Sequence, residues 1–149
     1  MAAVAGTIYF YITAAVLLAA IGQLVLIVAS LAIPRVLGWR AETAKLRPLT
    51  RQVFWTYAAY IWATNLSFGL VSLHPAWLLD GSPLAAGVTG FISVYWIGRV
   101  GIQFFYFDRS DAPSGPWVRL AEVGLVALFV YLAAVYSAAT LFNLAGMGP

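Results

Sequence analysis

The chain has no cysteine, one histidine (His74), one lysine (Lys45) and very little charge of either sign. Each shortage closes a route. Without cysteine there is no disulfide, no catalytic thiol and no thiolate-bound metal. A single histidine cannot build a bis-histidine haem site or the many-histidine di-iron cage of membrane hydroxylases, so neither metal nor haem is expected. Lys45 falls in a basic loop instead of an apolar stretch, which argues against a Schiff base inside a membrane. Charged side chains are 9% of the 149 residues, against roughly a quarter in a soluble domain. So little charge cannot make a conventional water-facing surface.

What is present is apolar length. Hydrophobic residues are 63% of the chain, and 1–34, 52–79 and 123–149 carry no charged side chain. Crossing a bilayer takes about 20 apolar residues, so an all-α membrane protein is expected. It would be one integral membrane domain over 1–149, a four-transmembrane-helix bundle with spans at about 7–33, 52–73, 84–107 and 117–144. Pro34 is expected to end the first span. The stretch 74–83, rich in Pro, Gly, Asp and Ser, reads as a turn, and 108–116 as a second loop. A cleaved signal peptide is not expected: no basic region precedes the first apolar stretch, which is also too long for one.

The basic residues set the expected topology. Arg35, Arg40, Lys45, Arg47 and Arg51 are opposed only by Glu42, Arg109 and Arg119 sit around the later loop, and 74–83 has no lysine or arginine. Cytoplasmic loops carry the excess of Lys and Arg. Loops 34–51 and 108–119 should therefore be cytoplasmic, with both termini on the non-cytoplasmic side. This topology accounts for the net charge of +3 without nucleic acid as a partner. Tyr9, Phe10, Tyr11, Trp39, Trp77 and Trp117 flank the spans as interfacial anchors do.

Arg99 is the most informative residue. It lies inside the third span, roughly 12 Å from the expected end at Phe107, and intramembrane arginines usually face a bundle interior or a wet cavity. Helical spacing puts Tyr95, Arg99, Gln103 and Tyr106 in one stripe. The guanidinium could grip an acid group with two prongs, and the tyrosine hydroxyl could donate to a second ligand atom. The competing readings are that Arg99 snorkels to the headgroups or pairs with Glu122, which itself stands at i+3 from Arg119. Gln23, Thr64, Asn65 and Ser67 read as interhelical hydrogen-bond formers, and Gly90 with Gly98 as a small-residue face for close helix packing. The aromatics of 53–62 read as ordinary bundle or lipid contacts, and His74 as a solitary exposed side chain.

The segment Trp96-Ile97-Gly98-Arg99-Val100-Gly101-Ile102-Gln103-Phe104-Phe105-Tyr106-Phe107, with Pro113 beyond it, resembles the third span of the MAPEG family, the membrane-associated proteins of eicosanoid and glutathione metabolism. In that family a Gly-Arg or Ala-Arg pair is followed by a tyrosine and then by a short proline-containing cytoplasmic loop. Chain length, outward termini and a basic first cytoplasmic loop agree as well. The resemblance implies a homotrimer with a cytoplasmic-side site between subunits, glutathione as cofactor, and a thiol polarised by arginine or tyrosine, with Arg99 and Tyr106 as catalytic residues. Arg51, Gln52 and Arg119 would bind ligand beside them, joined by Tyr95 and Gln103 of the stripe. The family motif Arg-Asn-x-x-Glu aligns with Arg51-Gln52-Val53-Phe54-Trp55. Trp55 replaces the glutamate, and an indole N–H cannot hold the ammonium of glutathione.

Two functions of different class follow. One is a MAPEG-like protein that binds an anionic amphiphile or thiol compound, with transferase or isomerase chemistry where a thiol is held. The other is a small non-catalytic accessory subunit of a larger membrane complex. Membrane lipids are partners in both.

Overall fold

A computed structural model describes residues 2–107 and 115–146. Seven helices follow in order, and the described residues contain no strand: α1 (Ala2–Ser30), α2 (Ile33–Val36), α3 (Trp39–Ala44), α4 (Pro48–Ser72), α5 (Pro75–Leu78), α6 (Pro83–Phe105) and α7 (Pro116–Leu144). Of the second loop expected at 108–116, residues 108–114 lie outside the described residues, and Pro116 already opens α7.

Among the described residues three stretches are long and apolar enough to cross a membrane: Gly6–Val36, which joins α1 to α2, then α6 and α7. They mark the chain as an integral membrane protein. α4 has the length, at 25 residues, but not the apolarity. Arg51 and Gln52 open it, Asn65 interrupts it, and its Trp and Tyr side chains carry polar atoms.

Local chemistry sets the boundaries. Pro34 lies inside α2, and the break comes one turn earlier, at Leu31–Ala32. Proline has no N–H for the carbonyl four residues back and its ring crowds that carbonyl, so the ladder fails at Ser30. The expected turn at 74–83 holds α5, whose Leu78 and the following Leu79 are buried. Gly81 then takes φ 75°, a left-handed conformation suited to glycine. The Ser82 hydroxyl caps α6 by accepting from the Ala85 N–H at 3.1 Å, with Pro83 in the first turn. The Ser82 N–H donates to Asp80 Oδ1 at 2.8 Å. Bonding to the Ser82 side chain and main chain holds the Asp80 carboxyl below its ordinary value.

The tightest seam joins α6 to α7, and α1 bridges α7 to α4. Ala85, Thr89, Ile92, Trp96 and Gln103 form the buried stripe of α6; Phe129, Leu132, Tyr136, Ala139 and Asn143 answer on α7. Steps of three and four put each set on one face. Gly90 belongs to this seam, since a Cβ there would meet Thr140 Cγ2 at 3.6 Å, whereas Gly98 faces open space. Of the small-residue face expected from Gly90 and Gly98, only the Gly90 end is therefore packed against α7. Less room is left at Gly69, where a Cβ would come 3.1 Å from Leu24 Cδ2, and at Gly22, where it would come 2.8 Å from Leu128 Cδ1.

Polar groups tie the bundle internally. Gln23 of α1 donates to the Tyr136 hydroxyl at 2.6 Å, and Ser72 Oγ shares a 2.6 Å bond with the same oxygen. All three residues are fully buried. A second tie runs from Thr140 to Thr89 at 3.2 Å, and Asn143 donates to the Leu78 carbonyl at 2.8 Å. The glue expected of Gln23 is therefore present.

Candidate functional site

Arg99 occupies the step between Trp96 and Gln103 on the inner stripe of α6 and is half-buried. α7 supplies its floor: the guanidinium carbon stands 4.7 Å from the centroid of the Phe129 ring. A second ring comes from beyond the helix end. Tyr106 and Phe107 both donate backbone N–H groups to the Ile102 carbonyl, at 3.1 and 3.3 Å, and the chain curls back so that Phe107 lies 5.2 Å from the guanidinium carbon. Arg99 Nη1 donates to Gln103 Oε1 at 3.3 Å, a long bond.

The balance of charge here is uneven. Among the described residues no carboxylate forms an ion pair with Arg99; the ion pair present is Lys45–Glu42 at 2.8 Å. A guanidinium has five N–H donors, and among the described residues a single hydrogen bond engages it. Two aromatic faces contribute about 0.5–2 kcal/mol each. A cation at the centre of a spanning helix costs roughly 2.5–3.5 kcal/mol on insertion scales, so the rings offset much of a shallower placement but supply no negative charge. A second donor lies against the same ring. The Trp96 indole is 5.3 Å from Phe129, is 1% exposed, and its N–H has no acceptor.

The sequence-predicted residues divide cleanly. Arg99 and Gln103 are bonded, and Tyr95 flanks them on α6, packed edge-on against Trp96 at 5.3 Å and Phe68 at 5.2 Å. Among the described residues no hydrogen bond or ring contact joins Tyr106 to Arg99. Tyr106 is 80% exposed, because α6 ends at Phe105 and the final turn carries Phe107 into the position that helical spacing assigned to Tyr106. Arg51 and Gln52 are exposed near the start of α4, and Arg119 is exposed in the first turn of α7. Within one chain no hydrogen bond or ring contact joins these three to Arg99. Trp55 is held edge-on by Phe54 at 5.7 Å and Trp39 at 6.1 Å, so this position belongs to an aromatic cluster.

Phe129, Phe107 and the orphaned Trp96 N–H were missed from sequence. Phe129 carries a signal in its seam spacing with Leu132 and Tyr136, but which cation it receives depends on how α6 and α7 are paired. Two open grooves lie elsewhere. One, of about 420 Å³, runs between α4 and α6 past Phe68, Leu84 and Phe91. The other, of about 490 Å³, follows Trp55, Ala59 and Tyr60 along α4. Neither includes Arg99. Among the described residues no cluster of His, Asp or Glu could hold a metal ion.

Family models, curated proteins and solved structures give no match to this chain.

Proposed function

We propose that this protein is a four-span membrane protein with both termini on the non-cytoplasmic side, which binds an anionic amphiphile at the cytoplasmic end of the α6–α7 seam. The observation that carries this reading is the Arg99 guanidinium, braced by Phe107 and Phe129 and without a carboxylate partner among the described residues. A carboxylate or phosphate ligand supplies the missing charge, and charge-assisted bonds of this kind are about twice as strong as neutral ones. Its apolar tail lies along the lipid-facing side of the helices. α4 crosses as the fourth span despite its aromatic content.

The MAPEG-like reading places Arg51, Gln52 and Arg119 of a neighbouring subunit beside Arg99 in a trimer. It rests on the Gly-Arg segment and on the exposure of all three residues, which leaves them free to meet a second copy. Glutathione is the weaker ligand in this reading, since Trp55 offers no charge for its ammonium. In a thiol-dependent reaction Arg99 would stabilise the thiolate.

A second reading, the accessory subunit, is favoured by the outer face of α6. Leu84, Phe91, Val94 and Ile97 are all more than half exposed, and Gly87, Gly98 and Gly101 each have nothing within 4 Å of a Cβ. Small and large residues alternating on one free face suit a helix of another chain.

The test is native mass spectrometry of the purified chain with oleate, a phosphatidic acid and glutathione added separately. Retention of one acidic amphiphile by the wild type and its loss in Arg99→Gln supports the ligand site. Equal retention by both proteins overturns it, and recovery of the chain only with a different protein favours the second reading.

A further inference from the structure

Five of the eight lysines and arginines gather at one place, the junction of α1, α2, α3 and the beginning of α4. Trp62 of α4 donates to the Ile27 carbonyl at 3.4 Å, and Gly69 meets Leu24. This antiparallel register lines residue 60 of α4 up with the end of α1. The turns from Pro48 onward therefore run about 18 Å past α1, at 1.5 Å per residue, alongside α2 and α3. The aromatic cluster pins α3 there, Trp39 meeting Phe54 edge-on at 5.1 Å and Trp55 at 6.1 Å.

This platform carries Arg35, Arg40, Lys45, Arg47 and Arg51, all exposed. Glu42 is its one carboxylate, and both its oxygens are taken by Lys45 Nζ, at 2.8 and 2.9 Å. Four guanidiniums remain with no ion pair among the described residues. Between them stand exposed Val36, Leu37, Leu46, Leu49 and Val53, and Tyr57 and Tyr60 face outward one to two turns further along α4. Cations interleaved with aliphatic and amphipathic aromatic side chains, at the end of a membrane-crossing helix, fit the headgroup layer of a bilayer.

We infer that the α2–α3–α4 platform is a binding surface for anionic phospholipid headgroups. The charge complementarity is fourfold, because Arg35, Arg40, Arg47 and Arg51 are the cations that Glu42 leaves unopposed. The leucines and valines among them sit at the boundary between headgroup and acyl chain, which holds the arginines at phosphate depth. Strongly acidic proteins and nucleic acids match the charge but leave the aliphatic residues without an apolar partner. In the trimer reading Arg51 serves both sites, whereas Arg35, Arg40 and Arg47 belong to the platform alone, so the inference does not depend on the ligand proposed at Arg99.

The experiment uses the full chain in mild detergent, equilibrated with equal amounts of phosphatidylglycerol and phosphatidylcholine, with retained lipids counted by native mass spectrometry. The wild type should retain phosphatidylglycerol preferentially. Each Arg→Gln change at 35, 40, 47 or 51 should lower the preference about fivefold, which corresponds to about 1 kcal/mol per surface cation. The same count is made in the Arg99→Gln background, where no lipid is held at Arg99; the preference that remains there should still fall with the four substitutions. Should the fourfold variant fail to fold, the wild type alone decides, because a headgroup preference set by exposed charges must shrink as salt rises from 0.1 to about 1 M, where the Debye length falls to about 3 Å. Absence of preference, a preference indifferent to both salt and the four substitutions, or one abolished by Arg99→Gln alone would overturn the inference. So would selective retention of nucleic acid in place of lipid.

Discussion

Two polar groups lie on the α6–α7–α1 bundle under opposite conditions. At Tyr136, donors and acceptors from three helices close on one hydroxyl at 2.6 Å, with Gln23 and Ser72 fully buried. At Arg99 a full charge meets two aromatic rings and one long hydrogen bond. The first arrangement consumes its polarity internally and acts as a fastener. The second leaves polarity unspent, which is how a binding group differs from glue inside a membrane. The Gln23 carbonyl oxygen, buried without a partner, shows that even the fastener is incompletely satisfied.

The sharpest way to break this contrast is to open the fastener. Tyr136→Phe removes the oxygen that serves both Gln23 and Ser72. Interhelical hydrogen bonds in membranes average about 0.6 and reach about 1.7 kcal/mol, so a loss of about 1–3 kcal/mol is expected, read as a lower unfolding midpoint in detergent. Adding Gln23→Leu to Tyr136→Phe should recover part of that loss, because replacing both partners with apolar groups removes the stranded donor as well. A double-mutant cycle measures the coupling, and zero coupling would mean that the 2.6 Å contact carries no energy.

At the other region the expected effects are smaller in stability and larger in binding. Phe129→Leu should cost about 1 kcal/mol in packing and ring contact, and should weaken retention of an acidic amphiphile by freeing the guanidinium to move. Arg99→Gln should leave the midpoint within about 1 kcal/mol of the wild type or raise it, since an uncompensated cation is removed. A large fall would show that Arg99 is itself structural.

The smallest effect lies outside the membrane-crossing helices, at Asp80. Its carboxyl titrates lower in the folded protein than in the unfolded chain, so its contribution is present above the unfolded value and fades as pH falls through the folded one. Acidification below the ordinary carboxylate range should therefore loosen the α5–α6 turn slightly in the wild type, and Asp80→Ala should remove that part of the pH dependence in a thermal melt.

Much of the helical plan was legible in the sequence. The four expected spans correspond to helices whose ends lie within a few residues, because charge-free runs and flanking prolines act locally. The break at Ser30 was displaced from Pro34 by the reach of a single i−4 carbonyl. The Tyr95–Arg99–Gln103 stripe was visible from spacing. Its continuation to Tyr106 was not, since spacing assumes a helix that continues and α6 ends at Phe105.

The sequence by itself determined an apolar, helical chain with five of its eight cations gathered around the start of α4 and one arginine inside a span. These follow from composition and periodicity, which depend on neighbours along the chain. Only the tertiary structure decided that Phe129 and Phe107 brace Arg99, that Gln23 and Ser72 converge on Tyr136, and that α4 runs past α1. Phe107 reaches Arg99 because the chain leaves the helix and curls back, and the other facts depend on helix register and on side chains brought together from different helices, for which no local pattern carries the information.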